Sequence, residues 1–251
     1  MTKSEYAILS NKKILEYYQE DKIVIEPYNE KQLGTNSYDV TLGEWYFREQ
    51  PLPSQPKPSQ PKPSQPKGGY IRHISYCDVN NDLYNMYSKD GVKMVWGKAM
   101  QAKTYKEYKQ DGYELENIKD TEKIIIINPG ETILGHTNEF IGGVNSVTTE
   151  MKCRSSLGRN FIEVCKCSGL GDCGYINRWT MEITNNSKNY KIALVVGRRL
   201  AQIMFIETDG LLNKTYDSRG KYQKGNNLEE LMKNWKPDDM LPKMYLDYEN
   251  N

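Results

Sequence analysis

Apolar and polar positions alternate over short stretches through the second half of the chain, with strand-length runs at 123–127, 131–136, 161–165, 178–184, 190–196 and 201–206. Such runs, alternating or briefly continuous, suit strands buried on one or both faces. Between them lie Asn128-Pro129-Gly130, Gly142-Gly143, the segments 169–174 and 185–189, and Gly197, all rich in turn-forming residues. Short strands with turn signals at about ten-residue intervals predict an antiparallel barrel or jelly-roll-like sandwich, so the chain reads as mainly β with a few short helices. Toward the N-terminus, Ser10 can cap a helix with Ile14, Leu15 and Tyr18 as its apolar positions, ending near Asp21. Ile23-Val24-Ile25 and the stretch 37–43 follow as strands, the second ending in a glycine turn. A last short amphipathic helix is predicted over 228–235, stopped by Lys236-Pro237. Residues 68–120, rich in Tyr, Lys and Asp, show only weak periodicity.

Composition changes this picture in a few places. The segment 53–67 is three copies of Pro-Ser-Gln-Pro-Lys with nothing apolar to bury. Proline at that density precludes helix and sheet hydrogen bonding, so an extended, solvated spur is expected. It is either an expanded loop or a ligand for a protein partner that recognises proline. Lys and Arg number 34 against 33 Asp and Glu, a formal charge of +1, which argues against bulk-charge binding to nucleic acid or an anionic membrane. No apolar run approaches the roughly 20 residues of a membrane helix. The N-terminal stretch has no apolar core of the kind a secretory leader needs. An odd count of five cysteines (Cys77, Cys153, Cys165, Cys167, Cys173) disfavours a disulfide scaffold and points to the cytoplasm of a cell or of an infected host cell. On an alternating strand Cys165 and Cys167 would share one face without the turn of a zinc knuckle, so buried thiols are expected rather than a zinc site.

Common catalytic signatures are absent. There is no Walker loop, no strand-turn-helix GxGxxG and no HxE with PCxxC, and His73 and His136 are the only histidines. The informative stretch is 152–183. Arg154-Ser155-Ser156-Leu157-Gly158-Arg159 places two hydroxyls between two guanidiniums. If Ser155 opens a helix, the free N–H groups and hydroxyls favour a phosphate. Arg154 adds a bidentate charge, and Arg159 falls on the face of Ser155. An ordinary capped turn would have the same residues. Gly169-Leu170-Gly171-Asp172-Cys173-Gly174-Tyr175 is either a glycine corner open to a flat ligand or a plain hairpin. In the run 179–184, Trp179, Met181 and Ile183 share one face and Thr180, Glu182 and Thr184 the other. Glu182 is then either solvated or, in a cleft near the Ser/Arg turn, raised in pKa and suited to general-base work.

The order and spacing of these motifs are more specific than any one of them. The Arg-Ser-Ser-Leu-x-Arg turn, Asp172-x-Gly174-Tyr175, Glu182 placed 23 residues after Arg159, and Tyr216 followed by Lys221-Tyr222-Gln223 together resemble the dCTP deaminase branch of the dUTPase superfamily. Lys22-Ile23-Val24-Ile25-Glu26-Pro27, Ser37-Tyr38-Asp39-Val40-Thr41-Leu42-Gly43, Asn128-Pro129-Gly130-Glu131 and Leu200-Ala201-Gln202-Ile203-Met204-Phe205 extend the resemblance. It implies a homotrimer of distorted β-barrel subunits with active sites at the interfaces. It also implies a single domain over 1–251, with an insertion at about 48–120 that holds the spur and a C-terminal lid or tail over about 210–251. Glu182 matches the general base that activates water against C4 of cytosine, and Arg159 and Ser155 match the residues that order that water. Arg154 and Ser156 match triphosphate contacts, and Asp172 the carboxylate beside the deoxyribose. Tyr175 falls among the nucleotide contacts. Tyr216, Lys221, Tyr222 and Gln223 match the segment that closes over the nucleotide. Mg2+ bridging the phosphates is implied, and no zinc. The activity implied first is hydrolytic deamination of dCTP to dUTP and ammonia. A dUTPase, a bifunctional enzyme giving dUMP, and a catalytically silent binding trimer are the alternatives.

Overall fold

The computed structural model describes residues 7–51, 83–211, 215–218, 220–223 and 225–247; the proline-rich spur, His73 and Cys77 lie outside them. The chain divides into two compact units, Met1–Arg48 with Ala99–Leu241, and Glu49–Lys98 with Pro242–Asn251. In the second, helix Lys89–Trp96 starts where the Ser88 hydroxyl accepts from Gly91 N–H and stops at Gly97, whose φ of 66° suits glycine.

The first unit is built of antiparallel strands with few helices. One sheet runs Met100–Gln101, Trp45–Arg48, Thr132–Gly143, Ile176–Asn185, Ile162–Val164, with Ile23–Glu26 also pairing to Thr132–Gly143. A second runs Leu170–Gly171, Val147–Cys153, Arg199–Glu207, Tyr38–Thr41, and a third Ile192–Val195, Lys123–Ile127, Lys103–Thr104. Among the described residues none of these sheets closes on itself, so the expected barrel is replaced by open sheets around a shared core.

Local sequence explains much of this. Along Ile176–Asn185, Trp179, Met181 and Ile183 are buried while Thr180 and Glu182 are partly exposed, as alternation requires. The unbroken isoleucine run of Lys123–Ile127 has a different cause. Ile125 and Ile127 enter the main core, whereas Ile124 and Ile126 pack with Tyr105 and Val195 in a second cluster. Both faces of that strand are therefore buried, and residues 99–120 supply the second cover. Helix Asn11–Gln19 begins at Ser10 as expected, but it buries Ile14 and Tyr17 rather than Leu15 and Tyr18. The Tyr17 hydroxyl donates to Glu207 at 2.5 Å, which fixes that face.

Two buried polar groups on strand Thr132–Gly143 are satisfied internally, and the first of them joins the two larger sheets. Glu139, 2% exposed, accepts from Thr41 N–H at 2.9 Å, Thr41 Oγ1 at 2.8 Å and Gln32 Nε2 at 2.9 Å. A buried carboxylate satisfied by three donors is tolerable where an unpaired one is not. His136 accepts from Trp45 N–H at Nε2 and donates from Nδ1 to Thr137 O, and burial pushes its pKa down to about 4. It is a neutral packing histidine. Gly43 opposite has no alternative, since a Cβ there would lie 2.0 Å from the imidazole.

Candidate functional site

The Ser/Arg turn follows directly from strand Val147–Cys153. Arg154 caps the one-turn helix Ser155–Gly158, and its N–H donates to Leu200 O on the neighbouring strand. Its Nε lies 3.3 Å from Asp39 Oδ2, which Arg199 Nη1 also reaches at 3.2 Å. Asp39 and Arg199 were not singled out by the sequence; only the sheet order brings them beside Arg154. Ser155, Ser156 and Arg159 are exposed, and their side chains make no hydrogen bond or ion pair among the described residues. The first N–H groups of a helical turn have no partner within it, so hydroxyls, amides and guanidinium are together available to an anion.

From this turn the chain runs into Ile162–Val164, which pairs with Ile176–Asn185 by placing Val164 opposite Ile183. Cys165 N–H then donates to Glu182 O at 3.1 Å. Cys165 and Lys166 both take left-handed backbone, φ 63° and 41°. That pair of residues ends the alternation, so Cys165 is buried while Cys167 is exposed, and the expected common face is lost. The described cysteines are all free thiols, and burial raises the Cys165 pKa further with help from the nearby Glu182 charge. Among the described residues no group of three or more His, Cys, Asp or Glu side chains could hold a metal ion.

Glu182 is half-buried, and its Oε2 is inaccessible and unpartnered. Burial raises its pKa above the ordinary carboxyl value, against weaker opposing pulls from its own N–H and from Lys166. An orphaned buried carboxyl oxygen is costly in a finished fold, which makes it a candidate for a group that meets a ligand.

The glycine corner is a turn closed by Tyr175 N–H to Asp172 O at 2.9 Å. Its glycines admit the protein itself rather than leaving space for a flat ligand. A Cβ on Gly171 would meet the Trp179 ring at 2.4 Å, and one on Gly174, at φ 88°, would meet Thr215 at 2.8 Å. Asp172 is exposed, and its carboxylate has no partner among the described residues. Tyr175 stands edge-on to Trp179 and to Tyr216, with ring centroids 5.4 and 5.1 Å away.

The C-terminal segment docks on this corner. Tyr216 N–H donates to Cys173 O, and Tyr222 N–H to the Tyr216 hydroxyl. Lys221 lies 5.9 Å over the Tyr222 ring. Gln223 is buried with its amide fully engaged. Oε1 accepts from Ile176 N–H at 2.7 Å, and Nε2 donates to Gly174 O and Gly225 O. Expected as a nucleotide contact, Gln223 serves in this chain as a clip. The structure thus gathers Asp172, Tyr175, Tyr216, Lys221, Tyr222 and Gln223 around the start of strand Ile176–Asn185. Glu182 lies farther along the same strand, and the Arg154–Arg159 turn is joined to it through Ile162–Val164. No helix among the described residues is long and apolar enough to cross a membrane.

Comparison with known proteins gives consistent matches. A family model described as dCTP deaminase-like matches residues 8–71 and 85–208. A relative from Methanococcus maripaludis strain C7, named dCTP deaminase, dUMP-forming, is 29% identical over 218 residues, covering 86% of this chain and 89% of its own. One of the same name from Clostridium botulinum strain Alaska E43 is 27% identical over 228 residues, covering 88% and 94%. Among solved structures, a 2'-deoxycytidine 5'-triphosphate deaminase from Agrobacterium tumefaciens matches with 17% identity and a TM-score of 0.49, over 84% of this chain and 51% of that one.

Proposed function

Because the chain belongs to the dCTP deaminase-like family, a family of enzymes, we propose that it deaminates dCTP at C4 of the cytosine ring and then releases diphosphate to give dUMP. One observation supports the first step above the others: the Glu182 carboxyl, on a buried strand, has an unpartnered inaccessible oxygen and a pKa raised by burial. A carboxylate poised nearer the operating pH can take a proton from water as its oxygen bonds to C4. It then passes protons to the ring nitrogen and the leaving amine. The C4–N bond breaks, ammonia departs, and water is the only co-reactant.

Arg159 and Ser155 order that water and meet the charge that develops on the tetrahedral centre. Arg154 and Ser156 bind the triphosphate. Mg2+ carried by the triphosphate would supply charge neutralisation at the phosphates, and the exposed Asp172 carboxylate and Ser155 and Ser156 hydroxyls are oxygen donors of the kind it takes. Asp172, beside the deoxyribose, directs a second water at the α-phosphate. The names of the relatives from Methanococcus maripaludis and Clostridium botulinum favour this second step over a product of dUTP. That Ser155, Ser156, Arg159 and Asp172 lie open on a single chain supports sites completed between subunits of a homotrimer, with Tyr175, Tyr216, Lys221 and Tyr222 closing on the nucleotide. The free thiols fit a reducing cytoplasm.

Incubation of the purified protein with dCTP and Mg2+, resolved by anion-exchange chromatography, should yield dUMP, diphosphate and ammonia. Accumulation of dUTP would remove the second step and leave a simple deaminase. Persistence of dCTP would end the reading and favour a silent binding protein. Sedimentation equilibrium should return the mass of three chains, and a monomer would refute the shared sites.

A further inference from the structure

Three consecutive residues at the start of the strand that carries Glu182 each hold the C-terminal segment by a different contact. Ile176 N–H donates to Gln223 Oε1 at 2.7 Å, and Asn177 Nδ2 donates to Tyr222 O at 3.0 Å. Arg178 places its guanidinium 4.7 Å from the Trp235 ring centroid and 5.2 Å from that of Phe140, so it lies between two aromatic rings. His136 adds a third ring, its centroid 4.7 Å from that of Trp235.

The chemistry of this third contact is unusual for a strand residue. Arg178 Nε is buried without a hydrogen-bond partner. A guanidinium is weakly hydrated and stacks flat on aromatic faces, so it can occupy such a place where an ammonium would not. The strand also shifts register between Arg178 and Thr180, an irregularity of the kind that re-aims a side chain. Trp235 itself is fixed on both sides. Its N–H donates to Leu231 O at the end of helix Leu228–Asn234, and the following turn Pro237–Met240 leads to buried Met240 and Leu241.

We propose that Arg178 and Trp235 are positioning residues whose stacking fastens the C-terminal segment to the Glu182 strand, holding Tyr216, Lys221 and Tyr222 in place before substrate arrives. This rests on the reading above for what those three residues close upon. The segment is then fastened at two places, by the Gln223 clip and, farther along the chain, by the Arg178–Trp235 stack. Order already present before binding is not charged against affinity, so losing the stack weakens substrate binding more than it slows the chemical step.

The test compares Trp235→Ala and Arg178→Met, singly and together, with the native protein. KM for dCTP should rise about tenfold in each single variant, the factor that about 1.4 kcal/mol of lost ordering gives, while kcat changes less than about threefold. The double variant should be no worse than either single, because both remove one shared contact. In the nucleotide-free protein, the amides of Tyr216 and Gly220, which donate to Cys173 O and Tyr216 O, should exchange at least about tenfold faster. Trp235→Phe keeps a ring for stacking and should restore near-native KM, and Arg178→Met carries the loss of the stack if Trp235→Ala does not fold. Native exchange at Tyr216 and Gly220 in the variants, or fully additive effects on KM, would overturn the proposal. If the native protein turns over no dCTP, the functional reading fails, yet the exchange measurement needs no nucleotide and still decides the latch.

Discussion

At the Arg154–Arg159 turn, Ser155, Ser156 and Arg159 project from a single helical turn with nothing to bind among the described residues. Around Gly174 and Ile176, by contrast, every polar atom of the Gln223 amide is engaged, and Tyr175 and Tyr216 pack edge to face. One region has spent its hydrogen-bonding capacity on the fold, and the other has kept it. Glu182 belongs to neither kind, being enclosed like the second region but unpartnered like the first. Stability should therefore be sensitive at Gln223 and indifferent at Arg159, whereas the chemical step should be sensitive at Arg159.

The largest effect is expected at Glu182. Glu182→Gln removes the proton acceptor with little change in volume, so dCTP turnover should fall at least about thousandfold while nucleotide binding persists. Stopped assays with calorimetric binding would check it, and retained deamination would refute the assignment. Next is Arg159→Ala, expected to lower kcat about hundredfold through lost charge stabilisation. Its melting temperature should stay within about a degree or two of native, because an exposed, unpaired side chain contributes within about 0.5 kcal/mol. A large fall in melting temperature would show that Arg159 belongs to the paired region after all.

How far the sequence foretold this contrast depends on how local each determinant is. The Ser/Arg turn was legible because its residues are contiguous, and the burial of Trp179, Met181 and Ile183 because strand period is local. The Cys165–Cys167 pair was misread. Positive φ at Cys165 and Lys166 arises where the chain leaves its pairing with the Glu182 strand, which no apolar pattern records. Helix Asn11–Gln19 had two faces of equal merit, and the distant Glu207 chose Tyr17. The buried Glu139 was not singled out, because its donors, Gln32 and Thr41, are remote in the chain. The glycine corner was legible as a turn, but what its glycines approach is set by Trp179 and Thr215 across the fold. Residues 99–120 showed only weak periodicity, although the capping box of Thr104 and Glu107 marks a helix start there.

Gln223→Ala should reverse the Arg159 result on stability. It strands the buried Ile176 N–H without an acceptor, a loss on the order of 1–3 kcal/mol, read as a lower denaturation midpoint in urea. Gln223→Glu retains an acceptor for Ile176 but sets a second acceptor oxygen against Gly174 O and Gly225 O in a buried site, so it should lower the midpoint as well. Equal midpoints for all three would mean that the clip is idle and that the paired region is held by its aromatic contacts alone.

The smallest effect is one of sign, and it isolates the enclosed carboxyl from both regions. Because burial raises the Glu182 pKa, the folded chain holds this proton more readily than the unfolded chain does. Its contribution to stability is therefore present at acid pH and is lost as pH rises from the ordinary carboxyl range through the folded value. His136 works the other way. Its folded pKa is lowered to about 4 from an ordinary 6.5, so its contribution is present above 6.5 and is lost as pH falls toward 4. Since His136 is common to both proteins, the difference between native and Glu182→Gln removes it and leaves the carboxyl alone. The glutamine variant should melt above the native protein at neutral pH, with the gap closing as the solution is acidified. A gap that is constant with pH would mean that Glu182 titrates in the fold as it does in the unfolded chain, and the proposed base would lose its physical ground.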